Sequence, residues 1–454
     1  MPTIAAIASP LGAGGVGIIR ISGPDALKLL TELFQPSSKG FSGFKPRFLH
    51  HGWLTDSAGH SIDECLAVHM PARATFTGED VAEIHCHGGP LILQWALERC
   101  LELGARQAER GEFSRRAFLN GRLDLSQAEA IAELIAAPAR EGIRYSLERL
   151  CGHLSAKVKA LQEDLNELAA QACVAIDFPE EEVPALERPE FIQRVDKVIL
   201  ELDELLRNAK RAAIFQTGSR ILMIGPVNSG KSSLLNALSG RQRALVSEYP
   251  GTTRDFIEES LDFEGLPVRL FDSAGLREGA GPIETLGIRQ SLTLLETADL
   301  IWLLMDSSTE SSALESVLPM LAKRPADVPL LLVLNKMDLP SKISLPDKLK
   351  NFPTCSVSAL FGTGLTELIA KSRSLLLGSA AESEGLAPNA RQAHVLEKAK
   401  EELLGLREDL ENGQSYDAAL CALDSARAVL DKILGLASHD ELLDKIFSQF
   451  CIGK

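Results

Sequence analysis

The octet Gly225-Pro-Val-Asn-Ser-Gly-Lys231-Ser232 constrains this chain more than any other stretch, because it follows the apolar run Ile221–Ile224 and leads into a helical pattern. The spacing G-x-x-x-x-G-K-S requires a strand, a tight glycine-containing loop and a helix N-terminus in that order, so that successive backbone N–H groups converge on phosphate. The surroundings fit. Residues 219–377 alternate helical stretches with short apolar strands at Ile221–Ile224, Val268–Phe271, Leu300–Met305 and Leu330–Leu334. That is the βαβ pattern of a mostly parallel sheet. Asn228, Ser229, Gly230 and Ser233 are expected to line the loop, Lys231 to reach the β and γ phosphates, and the Ser232 hydroxyl to take a magnesium position.

Three further motifs follow in order, with a shorter accessory one after the last. Thr253, in Gly251-Thr-Thr-Arg-Asp255, lies on a turn-rich stretch and offers a second hydroxyl to magnesium. Asp272-Ser273-Ala274-Gly275 closes an apolar strand, so its carboxylate can hold the ion through water while Gly275 lets the backbone approach the γ-phosphate. Asn335-Lys336-Met337-Asp338 ends the strand Leu330–Leu334, at the carboxyl edge where open α/β sheets bind ligands. A carboxylate there accepts two hydrogen bonds from guanine N1 and N2, a donor pair that adenine lacks, which disfavours an ATPase. Ser358-Ala359-Leu360 follows the next strand and is expected to offer a backbone N–H to guanine O6. Together the four motifs predict a GTP site.

Leu276 stands where many GTPases place a water-orienting Gln. Hydrolysis then needs another water-positioning group and another source of positive charge, a role in which an arginine finger supplies roughly 10³–10⁵ in rate. Glu284, near the start of the helical stretch Glu284–Leu295, is the candidate for the water; the alternative is a carboxylate that only favours a helix N-terminus.

At 454 residues the chain is too long for one core, and its 45% hydrophobic and 24% charged residues match folded domains. Residues 1–118 read as α+β, 119–215 as a first helical segment, 216–380 as an inserted P-loop domain and 381–454 as a second helical segment. Ser126 and Glu129 form a candidate capping box, and helical periodicity runs on past Pro138 to about Ile176. With no apolar run of membrane-spanning length and no signal-like start, the expected location is the cytoplasm. The eight cysteines show no paired spacing and are expected to be mostly buried thiols. A net charge of −15 argues against a broad nucleic-acid footprint, leaving Arg106, Arg110, Arg115, Arg116 and Arg122 as a local candidate, or as a solvated helix face.

Along Val81–His87, strand alternation puts Glu83, His85 and His87 on one face with Cys86 opposite, which suits a metal site, a ligand pocket or a plain surface strand. The chain ends Phe450-Cys-Ile-Gly-Lys454, where an accessible thiol becomes a nucleophile if nearby positive charge lowers its pKa.

Beyond the four motifs, the sequence carries Gly14-Gly-Val-Gly-Ile-Ile-Arg-Ile-Ser-Gly23, Phe76-Thr-Gly-Glu-Asp80, His87-Gly-Gly89, Gly111-Glu-Phe-Ser-Arg-Arg-Ala-Phe-Leu-Asn-Gly121, Ala175-Ile-Asp-Phe-Pro179, Asn389-Ala-Arg391 and the Cys-Ile-Gly-Lys tail. With these the whole chain resembles the MnmE (TrmE) family of tRNA uridine-modification GTPases, of the TrmE-Era-EngA-like class. The resemblance implies an N-terminal folate-binding-like domain that dimerises, a helical domain made of two segments, and an inserted Ras-like G domain. It implies a formyl-tetrahydrofolate pocket at Arg20, Glu83 and Arg122 with Lys454 nearby, and a catalytic Glu284 and Cys451. It further implies a potassium ion on Asn228 and on Ser247, Tyr249 and Thr252 of the loop Ser247-Glu248-Tyr249-Pro250-Gly251-Thr252-Thr253. A homodimer working with the flavoprotein MnmG on C5 of the tRNA wobble uridine is implied as well. Val227, Ser273, Leu360 and Arg122 depart from the family pattern. A regulatory RNA-binding GTPase of ribosome assembly is the alternative, and it would carry a basic RNA-binding module that the acidic flanks here do not resemble.

Overall fold

The computed structural model describes residues 1–10, 12–177, 187–240, 258–272, 294–310, 314–315, 317–377, 385–436 and 440–454. Mixed α/β structure divides into two compact units: Met1–Ala132 with Glu148–Leu200 and His394–Lys454, and Glu133–Leu147 with Glu201–Ala393.

The first unit carries a seven-stranded sheet in the order β3-β4-β5-β6-β2-β1-β7, formed by β1 (Ile4–Ile7), β2 (Gly14–Ser22), β3 (Phe34–Pro36), β4 (His50–Thr55), β5 (Ser61–Met70), β6 (Val81–Gly88) and β7 (Arg106–Gln107). All pairings are antiparallel except β1 with β7. The period of two decides which side faces the core. Ile19 and Ile21 of β2 and Ala82, Ile84 and Cys86 of β6 point into a cluster with Leu29, Leu30 and Leu33 of α1 (Ala26–Leu33) and Leu93, Ala96 and Cys100 of α2 (Pro90–Glu102). Arg20, Glu83 and His85 are thereby left on the opposite face.

Helix starts differ from expectation in one instructive place. The capping box lies at Asp124 and Gln127, not at Ser126 and Glu129: Gln127 N–H donates to Asp124 Oδ1 at 2.9 Å and Asp124 N–H donates to Gln127 Oε1 at 3.0 Å. After α3 (Glu112–Leu119), the helix α4 is therefore Leu125–Ala136, and both candidate motifs fit the same pattern because aspartate caps as well as serine. Nor does one helix run past Pro138. Proline removes a donor and disfavours helical backbone before it, and the chain restarts as α5 (Arg140–Leu150) and, after Gly152 at φ +85, as α6 (His153–Asp177). A second capping box, Asn389 with Gln392, opens the helix Ala390–Glu411; α7 (Arg188–Thr217) and Tyr416–Leu434 are the other long helices here, and Asp440–Phe447 is a short one near the tail.

The second unit carries a six-stranded sheet, β13-β12-β11-β8-β10-β9, from β8 (Ser219–Ile224), β9 (Glu258–Phe263), β10 (Leu266–Asp272), β11 (Leu300–Asp306), β12 (Leu330–Asn335) and β13 (Thr354–Ser356). Only the edge strand β9 is antiparallel. Buried Trp302 of β11 stacks on Phe263 at 6.0 Å and donates its indole N–H to Ser372 Oγ at 3.1 Å, so its one polar atom is satisfied inside the core. Strand β8 lies between β10 and β11, the crevice position at which parallel sheets bind ligands.

Candidate functional site

From the carboxyl end of β8 the chain turns through Gly225–Gly230 into α8 (Lys231–Ser239). Backbone geometry, more than any side chain, shapes this turn. Gly230 caps α8 at φ +91, and a Cβ there would lie 2.2 Å from Asn335 Nδ2; a Cβ on Gly225 would lie 2.4 Å from Leu304 O. Asn228 takes φ +64, a left-handed value that asparagine tolerates better than most residues. Lys231 folds over the loop, its ammonium donating to Gly225 O and Pro226 O at 3.0 Å each, while Ser232 and Ser233 are exposed on the first turn. Such a loop of converging N–H groups at a helix N-terminus binds an anion. Buried Asp272, at the end of β10 beside β8, brings a carboxylate to the same edge of the sheet.

Asn335 ties two loops together. Its amide donates to Ser229 O at 3.0 Å and accepts from Ala359 N–H at 3.0 Å, linking the phosphate loop to Ser358-Ala359. Asp338 accepts from the Ser358 hydroxyl and is exposed, so its carboxylate faces outward from the loop that Asn335 holds. Lys336, at φ +63, pairs with Asp306 at 2.7 Å. Met337 and Leu360 are exposed apolar residues on the flanks of this edge. Asp306 escaped the sequence reading, although the carboxylate that ends β11 directly beside Asn335 in register was available as a signal. Ser247, Glu248, Tyr249, Pro250, Gly251, Thr252, Thr253, Ser273, Ala274, Gly275 and Glu284 lie outside the described residues.

In the first unit, Arg20 and Glu83 face each other across β2 and β6 and pair at 2.8 Å. Burial alone would raise the Glu83 carboxyl, but the His85 hydrogen bond and the Arg20 charge outweigh it and hold the group below the usual range. The Arg20 guanidinium lies over the rings of Phe76 and Phe113 at 5.9 and 5.8 Å, two residues that strand alternation could not have brought to it. The chain's last residues reach the same place. Arg20 Nη1 donates to Gly453 O at 3.4 Å, Gly111 N–H to Cys451 O at 3.4 Å and Phe113 N–H to Lys454 O at 3.2 Å. Burial, then the charge of Arg20, lowers the Lys454 ammonium pKa. Gly453 sits at φ +93 with Ile7 O only 2.3 Å from where a Cβ would be, and Cys451 is exposed. Arg122 is held at Thr75 O, 3.1 Å away, next to Phe76 rather than in direct contact with Arg20 or Glu83.

A family model described as the MnmE helical domain matches residues 125–451, and one described as the GTP-binding protein TrmE N-terminus matches residues 3–122. A tRNA modification GTPase MnmE from Nitratidesulfovibrio vulgaris is 48% identical over 456 residues, covering 100% of this chain and 99% of its own length. The chain belongs to the MnmE family. Other members include those of Lawsonia intracellularis, 42% identical over 462 residues with 100% of this chain and 99% of that one covered, and of Aquifex aeolicus, 41% identical over 452 residues with 99% of each covered. As its family indicates, the chain is a GTP hydrolase of tRNA modification. The G domain of the T. maritima FeoB iron transporter also matches, at 26% identity over 35% of this chain and 98% of that one; its TM-score of 0.27 is too low to carry an argument.

For an MnmE family member, the distribution of charge and thiols is then informative. Three of the five arginines in the cluster are neutralised locally, whereas Arg110 and Arg122 are exposed. Arg116 is buried against Glu79 and Glu112, Arg106 pairs with Glu112, and Arg115 pairs with Asp440 and Asp444. Four cysteines are buried, namely Cys65, Cys86, Cys100 and Cys355, but Cys173 is half-buried and Cys151, Cys421 and Cys451 are exposed, so fewer are buried than expected. Burial pushes the Cys86 and Cys100 thiols up to about 12, which makes them inert. The metal-site reading of Glu83, His85 and His87 also fails among the described residues, where no group of three ligands converges. His85 bonds Glu83 at 3.1 Å while His87 turns to Asp63 at 2.7 Å. No helix among the described residues is long and apolar enough to cross a membrane.

Proposed function

We propose that this family member hydrolyses GTP with magnesium and potassium, and that with a flavoprotein partner, MnmG, it adds an aminomethyl or carboxymethylaminomethyl group at C5 of the wobble uridine of certain tRNAs. The supporting observation is the Asn335 bridge, which fixes the phosphate loop and the Ser358-Ala359 loop in one frame with Asp338 open to solvent. In that frame the loop N–H groups and Lys231 bind the β and γ phosphates, and Asp338 reads guanine N1 and N2. The Ala359 N–H is already engaged by Asn335, so the neighbouring N–H of Leu360 is the better donor to guanine O6.

The exposed Ser232 hydroxyl and buried Asp272 suit a magnesium ion, which supplies charge neutralisation on the β and γ oxygens when bound. Asn228, exposed on a left-handed turn, is the described part of the potassium site, and a monovalent cation there supplies the charge that an arginine finger supplies elsewhere. Ser247, Tyr249 and Thr252 complete that site in the same reading, and Glu284 orients the attacking water through a second solvent molecule.

Arg20, which lies over the Phe76 and Phe113 rings, together with its partner Glu83 and nearby Lys454 suits a formyl-tetrahydrofolate, which supplies one-carbon chemistry when bound. In the same reading Arg122 borders the pocket through Thr75, and the exposed Cys451 thiol of the tail acts as the nucleophile. The same proposal includes the homodimer, its dimerisation through residues 1–118, and the domain division at 119–215, 216–380 and 381–454.

Steady-state GTPase rates in matched potassium and sodium buffers test the cation. The rate should be several-fold higher in potassium, and Asn228→Ala should remove the difference; equal rates in the two salts would overturn the cation mechanism. Nucleoside analysis of tRNA from a deletion strain tests the modification, which should be lost at the wobble uridine.

A further inference from the structure

The end of β11 forms a clasp around the Asn335–Asp338 loop. Asp306 Oδ2 takes the Lys336 ammonium at 2.7 Å, while its Oδ1 accepts from Ser308 N–H at 2.9 Å and Ser308 Oγ–H at 2.7 Å. Buried Ser307 grips the loop backbone: its hydroxyl donates to Lys336 O at 3.1 Å and its N–H donates to Asn335 O at 2.9 Å. Its own carbonyl receives Lys342 N–H at 2.8 Å and Ile343 N–H at 3.2 Å, closing the far side of the loop. Lys336 needs such support because its φ of +63 is costly for a non-glycine residue. Burial would raise the Asp306 carboxyl, but Lys336 and Ser308 outweigh it and hold it below the usual carboxylate range, so the charge is present at neutral pH.

We propose that Asp306 is a positioning residue for nucleotide binding: by fixing Lys336 it holds the Asn335–Asp338 loop in the geometry that receives the guanine base. The proposal rests on reading that loop as the guanine site. It assigns Asp306 no contact with substrate. The loop meets the base and not the γ-phosphate, so loss of the clasp weakens GTP and GDP alike and leaves turnover of bound GTP intact.

Asp306→Asn is the informative variant, since the amide oxygen still accepts from Ser308 and only the charge toward Lys336 is removed. Dissociation constants for GTP and GDP should both rise roughly fivefold to tenfold, the net worth of one ordinary hydrogen bond because the pair is partly exposed, with kcat at saturating GTP within about twofold. In a Lys336→Met background the same change should add nothing, because the two residues act as a pair. Unchanged affinity, additive losses in the double variant, or a kcat loss at unchanged KM would each overturn the proposal. Asp338→Asn separates the underlying reading. It should shift preference from GTP to XTP; if preference does not move, the guanine reading fails and the proposal with it, whereas a shift there with normal affinity in Asp306→Asn defeats the positioning role alone.

Discussion

Each described part of the nucleotide cradle sits at the carboxyl end of a strand that precedes it immediately in sequence: Gly225 after β8, Asp272 on β10, Asn335 on β12 and Ser358 just after β13. The pocket around Arg20 is assembled otherwise, from residue 20, residue 83, two phenylalanine rings and a carbonyl 433 positions along the chain. The first site is made of backbone held at close approach, so an added Cβ is what it cannot tolerate. The second is made of side chains gathered from far apart, so it is sensitive to truncation and to whatever holds the tail in place.

That contrast ranks the mutational effects. Gly230→Ala should be the most damaging, because strain at φ +91 and a collision with Asn335 Nδ2 fall on the residue that joins both loops. Guanine-nucleotide affinity measured by fluorescence titration should drop about a hundredfold, corresponding to roughly 2.7 kcal/mol, with folate binding unchanged. Gly453→Ala should do the reverse. Displacing the tail from Ile7 O should cut wobble-uridine modification by about tenfold or more, as strain of 1–3 kcal/mol predicts, and spare the GTPase rate. Next comes Arg20→Ala, which should weaken formyl-tetrahydrofolate binding about tenfold by calorimetry without altering nucleotide affinity; unchanged folate binding would leave Arg20 a structural partner of Glu83 only.

The same contrast explains what could be read in advance. Strand ends and phosphate-loop residues were legible because strand, loop and helix follow one another within a few positions. Glu83 was singled out by strand alternation and Arg20 by resemblance, and their pairing follows from the β2–β6 register, yet nothing local announced Phe76, Phe113 or the Gly453 carbonyl as neighbours. Arg115 was not legible as a paired residue because charge in a sequence does not reveal its partner: Asp440 and Asp444, which hold it, lie more than 300 positions away. Asp124 and Ser126 are both good helix caps, and only the observed hydrogen bonds choose between them.

The smallest expected effect is on stability in acid. Glu83 is held below its ordinary 4.5, and a lowered carboxylate contributes stability that is present above the unfolded value and lost as pH falls through the folded one. Thermal unfolding followed downward from about pH 5 should therefore be less acid-sensitive in Glu83→Gln, by about 1 kcal/mol or less. An identical pH profile in the two proteins would show that the Arg20–Glu83 pair contributes nothing to folding.

The central claim is that GTP turnover and uridine modification depend on separate parts of one chain, and Cys451→Ser tests it most directly. The thiol is exposed on the tail and lies in the other compact unit from the nucleotide loops. Steady-state GTPase rate and wobble-uridine content should be measured on the same variant, the latter in tRNA from cells that carry it as their sole copy. The GTPase rate should stay within about twofold of the parent while the modified nucleoside is lost. Normal modification, or a GTPase rate that falls together with it, would contradict the account.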